Sequence, residues 1–425
     1  MTAKTRPTIV ADLSDDHLLD LVQRQTLAYF WDFAHPASGL ARERSNPVAG
    51  YDYRETVTSG GTGFGVMALL AGAERGFLPR AAVLERISRM VDFLGRADTH
   101  HGVFPHFLHG ATGATIPFSE KDDGGDLVET AFLIAGLLCA RQYFSGAALS
   151  EAKLRAAIDA LWHRVEWDWH RRDGRDVLYW HWSPRHGWAM DHAITGWNEC
   201  LITYVLAAAS PTHAAPPEVY HWGWTVSPVF RNGRSYHGIE LPLGPPYGGP
   251  LFFAHYSFLG LDPRGLRDRY ADYWAQNRAH TLINRAHCIA NPNGHAGYGP
   301  SCWGLTACDG DAGYGAFCPE NDRGVIAPTA ALSSMPYTPR ESMAALRHFY
   351  EELGGELWGP CGFVDAFNRS RGWVADSNLA IDQGPIVVMI ENYRSGLLWD
   401  LFMSCPEVRD GLRRLGFQSA RLAET

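Results

Sequence analysis

The segment that most constrains the fold is DSNLAIDQGPIVVMIENYRSGLLW, which covers residues 376–399. Asp382 stands just before a run that is apolar along most of its length, and Pro385 is well placed for the first turn of a helix. The segments DDGGDLVETAFLIAGLL from Asp122 and DHAITGWNECLITYVLAAA from Asp191 repeat this arrangement, each after an aromatic, hairpin-like stretch. Three buried helices with acids at or near their starts have the architecture of a functional site if they face one centre.

Helical patterns dominate the rest of the chain and arrive in pairs, which predicts about twelve helices. The acidic helices are predicted near residues 123–144, near residues 192–209, and from just after Asp382 to about residue 402. Strand patterns are few, and the aromatic stretches 101–116, 178–188 and 362–373 are interpreted as hairpins. Paired helices with loops gathered at one end predict an all-α fold, an α/α toroid with a cleft in the loop-rich face.

The domain organisation follows from the absence of any Pro- or Ser-rich linker. We predict a flexible tail over residues 1–14 and a single domain over residues 15–425. The Gly-rich stretch 291–326 is long for a loop inside a compact domain, and such loops are usually functional. The motif GTGFG at residues 61–65 lacks both GK[ST] and a preceding strand, so it indicates close helix packing rather than a phosphate loop.

Charge and cysteine usage exclude several classes of protein. The net charge is −9 and there is no Lys/Arg run, which argues against nucleic acid as a partner. The eight cysteines form no CxxC pair, and no His or Cys spacing matches a metal site, so neither a metal nor any other cofactor is assigned. The N-terminal residues show no apolar signal core and no run of 18 apolar residues occurs. We therefore expect no membrane association, and a cytoplasmic location for the chain as written, or a periplasmic one if it is truncated.

The aromatic content, with 15 Trp and 17 Tyr, is compatible with two interpretations. Flat rings with a polar edge suit the faces of sugars, but large helical proteins also use aromatic residues to fill their cores. His181 and Trp182, in the second hairpin, are candidates for a sugar subsite, as are Trp197 and Trp303. Arg54 belongs to a segment that is either the rim of a cleft or a plain surface loop.

The carboxylates carry the chemistry of the predicted site. Asp122, Asp126 and Glu129 are spaced i, i+4, i+7 and share one face if all three are helical, although acids also favour a solvated helix start. Glu199 is flanked by apolar residues, so burial should raise its pKa as a general acid requires, unless it forms a core salt bridge with an Arg. Asp382 is either an N-cap or a residue that activates water. Two carboxylates in an aromatic cleft are the requirement for glycoside hydrolysis.

Four segments carry a family resemblance: WGLTACDGDAGYGAF (303–317), GVIAPTAALSSMPYTPRES (324–342), GFVDAFN (362–368) and DQGPIVVMIENYRSGLLW (382–399). They resemble the glucoamylase-like family of bacterial proteins, which includes the β-1,2-glucanases of glycoside hydrolase family 144. TSGGTGFGVMAL and DDGGDLVETAFLIAGLL look like its N-terminal half, so the resemblance spans about residues 17–417.

The resemblance implies an (α/α)6 barrel and an inverting hydrolase of β-1,2-glucan or sophoro-oligosaccharides. By this resemblance Glu199 is the general acid and Asp382 the base, acting on water directly or through a substrate hydroxyl. Asp126 and Glu129 would position sugar hydroxyls, and Asp122 completes the matching acid triplet in the cleft.

Two alternatives stay open at this point: another carbohydrate-active enzyme on the same toroid, such as a hydrolase of another linkage, a transglycosylase or an epimerase, and a non-catalytic glucan-binding protein. The sequence also leaves open endo or exo action and whether the protein is a monomer or a dimer.

Overall fold

The computed structural model describes residues 8–423. Its α-helices are α1 (Asp15–Trp31), α2 (Ser59–Glu74), α3 (Arg80–Leu94), α4 (Leu127–Tyr143), α5 (Leu149–His163), α6 (Leu201–Ala209), α7 (Tyr273–Ala290), α8 (Pro328–Leu332), α9 (Pro339–Arg347), α10 (Gly354–Leu357), α11 (Ala380–Arg394), α12 (Leu397–Met403) and α13 (Pro406–Arg414). Short π-helical turns lie at Val219–Trp224 and His348–Glu352.

The strands are short and pair in small antiparallel units. They are β1 (Thr56–Thr58), β2 (Phe107–His109), β3 (Thr115–Ile116), β4 (Gly125–Asp126), β5 (His181–Trp182), β6 (Arg231–Tyr236), β7 (Ile239–Leu243), β8 (Ala307–Cys308), β9 (Gly315–Ala316), β10 (Trp358–Gly359), β11 (Gly362–Phe363), β12 (Phe367–Asn368) and β13 (Trp373–Val374). Strands β1, β2 and β3 form one sheet, and the others pair as β4–β5, β6–β7, β8–β9, β10–β11 and β12–β13.

The helices form an inner and an outer layer, as the predicted toroid requires. Helices α2, α4, α6, α8 and α11 are buried over almost their whole length on every side, which is the pattern of a helix inside a core. Helices α3, α5 and α13 bury only one stripe and cover the inner layer from outside. Helix α2 packs between α4 and α11, and α1 packs against α11, so the start of the chain meets its end.

Glycines allow α2 and α4 to cross with their backbones in contact, which confirms the predicted role of the GTGFG motif. A Cβ added at Gly63 would lie 2.1 Å from the carbonyl oxygen of Phe132, and one at Gly136 would lie 2.2 Å from the carbonyl oxygen of Gly63. Both obstacles are main-chain atoms of buried helices, so neither can move aside alone. The crossing therefore requires glycine at both positions.

Gly63→Ala should lower the free energy of unfolding by about 1–3 kcal/mol, the usual cost of overpacking a core. The gain of roughly 0.5–1 kcal/mol from replacing a helical glycine does not offset this clash. Chemical denaturation of wild type and variant measures the difference. Gly299→Ala is the matched control, because a Cβ there meets nothing within 4 Å. Equal stability of the two variants would contradict the proposed contact.

The first and third predicted hairpins are confirmed by paired strands. Strands β2 and β3 pair within residues 101–116, and β12 and β13 pair near the end of the third stretch. The second stretch is paired internally only by a single antiparallel bridge between Ser183 and Gly187, and its strand β5 pairs with β4, which lies before α4. This pairing brings His181 opposite Asp126, so it joins two of the predicted acidic segments.

The starts of two acidic helices differ from the prediction. Helix α6 begins at Leu201 rather than near residue 192, because Gly196 has a φ of +80° and the Asn198 side chain accepts the Cys200 N–H at 3.0 Å, which turns the chain just before the helix. Helix α11 begins at Ala380, so Asp382 lies inside its first turn and not before it.

The ends of the chain are described in part. Residues 1–7 of the predicted tail lie outside the described residues, whereas the Val10 N–H donates to Tyr350 Oη at 2.9 Å. Within residues 8–423, no helix combines the length and apolarity needed to cross a membrane.

Candidate active site

Asp126 is the N-cap of α4 and is completely buried. Its Oδ1 accepts the backbone N–H of Val128 at 3.0 Å and of Glu129 at 2.9 Å, which satisfies groups that a helix start leaves unpaired. Trp180 Nε1 donates to the same oxygen at 3.0 Å. Asp122 precedes the helix and Asp126 caps it, so the condition for a shared helical face, that all three acids are helical, is not met. The acids come together instead through the cap and the β4–β5 pairing.

Two histidines complete what we call the histidine–acid cluster: His106, Asp122, Asp126, Glu129 and His181. His106 Nδ1 lies 3.1 Å from Asp126 Oδ2, and His181 Nε2 lies 3.2 Å from Asp122 Oδ2 and 3.5 Å from Asp126 Oδ2. Burial alone would raise the pKa of Asp126, but the hydrogen bonds from His106 and His181 lower it. Burial would lower the pKa of His106, but the charges of Glu129 and Asp126 raise it to about 9.

The other two acids of the cluster hold their protons more firmly. Burial, followed by the charge of Asp126, raises the pKa of Asp122 to about 6. Burial also raises the pKa of Glu129, whose Oε2 accepts the Gly60 N–H at 2.8 Å and lies 3.3 Å from Thr58 Oγ1. Glu129 thereby ties the start of α4 to the start of α2.

Potential metal-binding atoms of His106, Asp122 and Asp126 lie within 4.8 Å of one another. Hydrogen bonds within the cluster and to His181 already engage these groups, so we assign no metal to it.

Glu199 lies in the turn just before α6 and is half-buried. Its backbone carbonyl accepts a hydrogen bond from Ser257 Oγ, which fixes the turn. Burial raises the pKa of Glu199 to about 7, and the negative charges of Glu129 and Asp126 add to the effect. No Arg or Lys forms an ion pair with Glu199 in the described part of the chain. A carboxyl group in this state can keep a proton near neutral pH and donate it.

Asp382 meets a second carboxyl group that the sequence analysis did not select, Asp365. The two residues are 2% exposed each, each affects the pKa of the other, and Asp365 Oδ1 and Asp382 Oδ2 are buried without a hydrogen-bond partner among the described residues. Burial, followed by the charge of Asp365, raises the pKa of Asp382 well above its usual value. Burial, followed by the charge of Asp309, raises the pKa of Asp365 to about 7. We call Asp365 and Asp382 the carboxyl pair.

Arg44 balances the acids beside the carboxyl pair. Its guanidinium lies 3.1 Å from Asp309 and 2.9 Å from Glu43. Tyr51 Oη donates to Glu43 at 2.5 Å. These side chains continue into an aromatic cavity of about 280 Å³, which is lined by Glu43, Arg44, Tyr51, Thr58, His106, Phe107, Phe118, Tyr314, Leu379 and Ile381.

Tyr256 connects Glu199 to the carboxyl pair. It is 6% exposed, and its ring packs against Phe64 at 5.2 Å and Phe132 at 5.7 Å. Burial raises its pKa, and the charges of Asp382 and Glu199 raise it further, so its hydroxyl lies within electrostatic reach of both acids. Tyr256 is thus a residue whose surroundings include both candidate catalytic acids.

The remaining predicted binding residues are dispersed. Trp182 is half-buried beside His101, with ring centres 5.0 Å apart. Arg54 is exposed, and its guanidinium lies over the Tyr53 ring. The expectation that Trp197 and Trp303 bind sugar is wrong, because they are 2% and 0% exposed and pack inside the core.

Asp365, the partner of Asp382 in the carboxyl pair, was not predicted from the sequence. The signal was present, because Asp365 stands alone among apolar residues in GFVDAFN, as Glu199 does in its own segment. Tyr256 and Arg44 gave no comparable signal, since Tyr256 lies among other aromatic residues and Arg44 among other charged residues.

Comparison with known proteins finds relatives of the chain. A family model named Glycoamylase, described as "Putative glucoamylase", matches residues 191–406. A protein of Parabacteroides distasonis named exo β-1,2-glucooligosaccharide sophorohydrolase (non-reducing end) is 45% identical over 424 residues, which cover 95% of this chain. The chain spans only 58% of the length of that relative.

Solved structures show the same fold. The endo-β-1,2-glucanase of Chitinophaga pinensis, in complex with sophorotriose and glucose, is 55% identical, with a TM-score of 0.94, and the match covers 97% of this chain and 100% of that one. The endo-β-1,2-glucanase of Talaromyces funiculosus, with sophorose, has a TM-score of 0.69 at 11% identity over 94% of this chain and 86% of that one, which is a likeness of fold alone.

Proposed function

Because the chain belongs to the glucoamylase-like family, we propose that it is a glycoside hydrolase that cleaves β-1,2-linked glucan or sophoro-oligosaccharides. The observation that supports this proposal is that Glu199 is an acid able to keep its proton near neutral pH and that the charges of both Glu199 and Asp382 raise the pKa of Tyr256. The fold alone would not suffice, since one fold hosts many functions.

Glu199 is the proposed general acid and Asp382 the proposed general base of an inverting reaction. Glu199 gives its proton to the glycosidic oxygen as the bond to the anomeric carbon breaks. Asp382 takes a proton from the water that attacks the opposite face of the same carbon, directly or through a substrate hydroxyl. One step therefore exchanges the leaving sugar for water with inversion of configuration.

The histidine–acid cluster is proposed to bind sugar hydroxyls next to the reacting bond. Asp122 and Glu129 accept hydrogen bonds from hydroxyls, while Asp126 holds His106 and His181 in place. Phe107 and Phe118 line the cavity beside His106, and their rings offer apolar faces to the pyranose ring. Trp182 and Arg54 remain proposed contacts farther along the chain of sugars.

We further propose that residues 15–425 act as one catalytic unit. The site draws residues from Glu43 to Asp382, and α1 packs against α11. The proposed partner is an oligosaccharide or glucan, with neither nucleic acid nor a membrane as a binding partner.

Incubation of the purified protein with linear β-1,2-glucan, and separately with sophoro-oligosaccharides, tests the proposal. We expect cleavage of both or of the short chains alone, and ¹H NMR at early times should show the α-anomer of the new reducing end. Mixed product lengths from the polymer would indicate endo action, and a single small product would indicate exo action.

Linear β-1,3- and β-1,4-glucans serve as matched substrates of other linkage and should stay intact. Cleavage of these in preference to β-1,2-glucan would contradict the substrate class. Binding of β-1,2-glucan without any turnover would contradict the proposal of a hydrolase.

A further inference from the structure

The carboxyl pair joins two parts of the chain that are each held by their backbones. Asp365 lies between β11 and β12, where its N–H donates to the Ser377 carbonyl at 2.9 Å. Asp382 lies in the first turn of α11, where its carbonyl accepts from Thr329 Oγ1 at 2.8 Å. The fold therefore holds the backbone on both sides of the carboxyl pair, and both side chains are buried.

A close approach of these two buried carboxyls requires a proton. Two ionised carboxylates have no hydrogen to place between them and repel each other, so close carboxyl pairs ionise in two separate steps. Asp365 Oδ1 and Asp382 Oδ2 are buried, and neither accepts an N–H or O–H from another of the described residues. Asp365 Oδ2 accepts the Asp309 N–H at 2.7 Å. One proton between the two carboxyls gives a hydrogen bond to the oxygens that otherwise have no partner within residues 8–423.

We propose that Asp365 and Asp382 share a single proton, and that Asp365 is the positioning residue that orients Asp382 and donates a hydrogen bond to it when Asp382 acts as a base. This inference deepens the proposed function and rests on it for the role of Asp382. It assigns a role to Asp365, which touches no substrate in the mechanism above.

The charges around the pair favour one negative charge on it and resist a second. The acids Glu43 and Asp309 face it from outside, with Arg44 as the neighbouring cation. The other titratable groups near it are Tyr29 of α1, Tyr256, Cys308 of β8 and Tyr314. Two acids against one cation leave a surplus of negative charge, so the last proton of the pair is held firmly.

The proton balance of the reaction then closes within the site. Before attack, Glu199 is protonated and the carboxyl pair carries one proton. As the glycosidic C–O bond breaks and the water C–O bond forms, Glu199 loses its proton to the leaving oxygen. Asp382 gains one from the water while Asp365 keeps the shared proton, so the pair becomes neutral. Release of one proton from the pair to solvent and uptake of one by Glu199 restore the start.

Infrared difference spectroscopy at mildly alkaline pH tests the shared proton without substrate. The spectra to compare are those of wild type minus Asp365→Asn and wild type minus Asp382→Asn. A shared proton is lost with either partner, because the new amide donates to the carboxylate that remains. We expect the same carbonyl band of a protonated carboxylic acid in both differences.

Asp309→Asn is the matched control, because it changes an acid beside the pair and should leave that band in place. A band that is lost in only one of the two pair variants would place the proton on a single residue and overturn the proposal. Absence of the band from both differences would overturn it as well.

A pH profile separates a positioning role from a merely structural one. In wild type, kcat/KM falls at low pH as the pair takes up its second proton. In Asp365→Leu, Asp382 must ionise without a donor, so this acid limb should move up by about one pH unit or more. We expect kcat to fall about 10–100-fold, a part of what a general base contributes. Asp365→Asn keeps a donor, so its limb should lie closer to that of wild type.

A fall in kcat for Asp365→Leu with an unmoved acid limb would indicate a structural role and contradict the proposal. Far-UV circular dichroism and thermal melts of each variant establish that it is folded. The infrared experiment needs no substrate, so it tests the shared proton even if β-1,2-glucan proves not to be the substrate. Failure of this inference and failure of the proposed function are therefore distinguishable.

Discussion

Glu199→Gln is expected to lower kcat on β-1,2-linked substrate by about 10²–10⁴-fold, with KM little changed. The amide preserves the shape of the side chain but has no acidic proton to give to the leaving oxygen. In wild type, burial raises the pKa of Glu199 to about 7, so kcat/KM should fall as pH rises through this range and Glu199 loses its proton. The variant should lack this basic limb. Steady-state kinetics across pH measure both effects.

An aryl β-sophoroside is a sharp control for the Glu199 assignment. Its phenolate leaves without protonation, so Glu199→Gln should cleave it far better, relative to wild type, than it cleaves glucan. An equal loss on both substrates would contradict the role of Glu199 as general acid. Unchanged turnover of glucan would exclude it altogether.

Asp382→Asn should reduce kcat by a comparable factor of about 10²–10⁴, but on both kinds of substrate. The attacking water needs a proton acceptor whatever the leaving group, and an amide is no base. The same kinetic comparison with glucan and the aryl glycoside measures this. The different response of the two variants to leaving group would assign acid and base without reference to any relative.

Asp376→Asn is the matched control for Asp382→Asn, because it makes the same change six residues earlier. Asp376 is exposed and accepts from Asn46 Nδ2 at 2.7 Å, away from the carboxyl pair. Its turnover should remain near that of wild type. Substantial activity of Asp382→Asn on the aryl glycoside would show that another group activates the water.

The layered helical fold was predictable because the sequences of its inner helices are almost entirely apolar. Helices such as α4 are apolar on every side, which leaves a buried position as their only stable place. The boundaries at Leu201 and Ala380 were not predictable, because they depend on Gly196 and on contacts of loops from distant parts of the chain. The β4–β5 pairing likewise joins segments about 55 residues apart, which no local pattern reveals.

The acids of the site could be predicted better than its aromatic residues. A lone carboxylate in an apolar stretch, such as Glu199, must be satisfied or functional, so burial itself marks it. Trp197 has no such mark, since an indole ring serves equally in a core or a cleft, and the structure places it in the core. The resemblance supplied roles for Glu199 and Asp382, but it gave no reason to pair Asp382 with Asp365.

The bond from the Gly60 N–H to Glu129 has an evolutionary consequence. It attaches an acid of the site to the main chain at the start of α2, whose crossing with α4 leaves no room even for a methyl group. A shift of either helix would therefore displace the acid, and selection on packing and selection on chemistry act on the same atoms. Changes of substrate length or mode of attack have to arise in the loops instead, so divergence among relatives should concentrate there while the helix starts stay fixed.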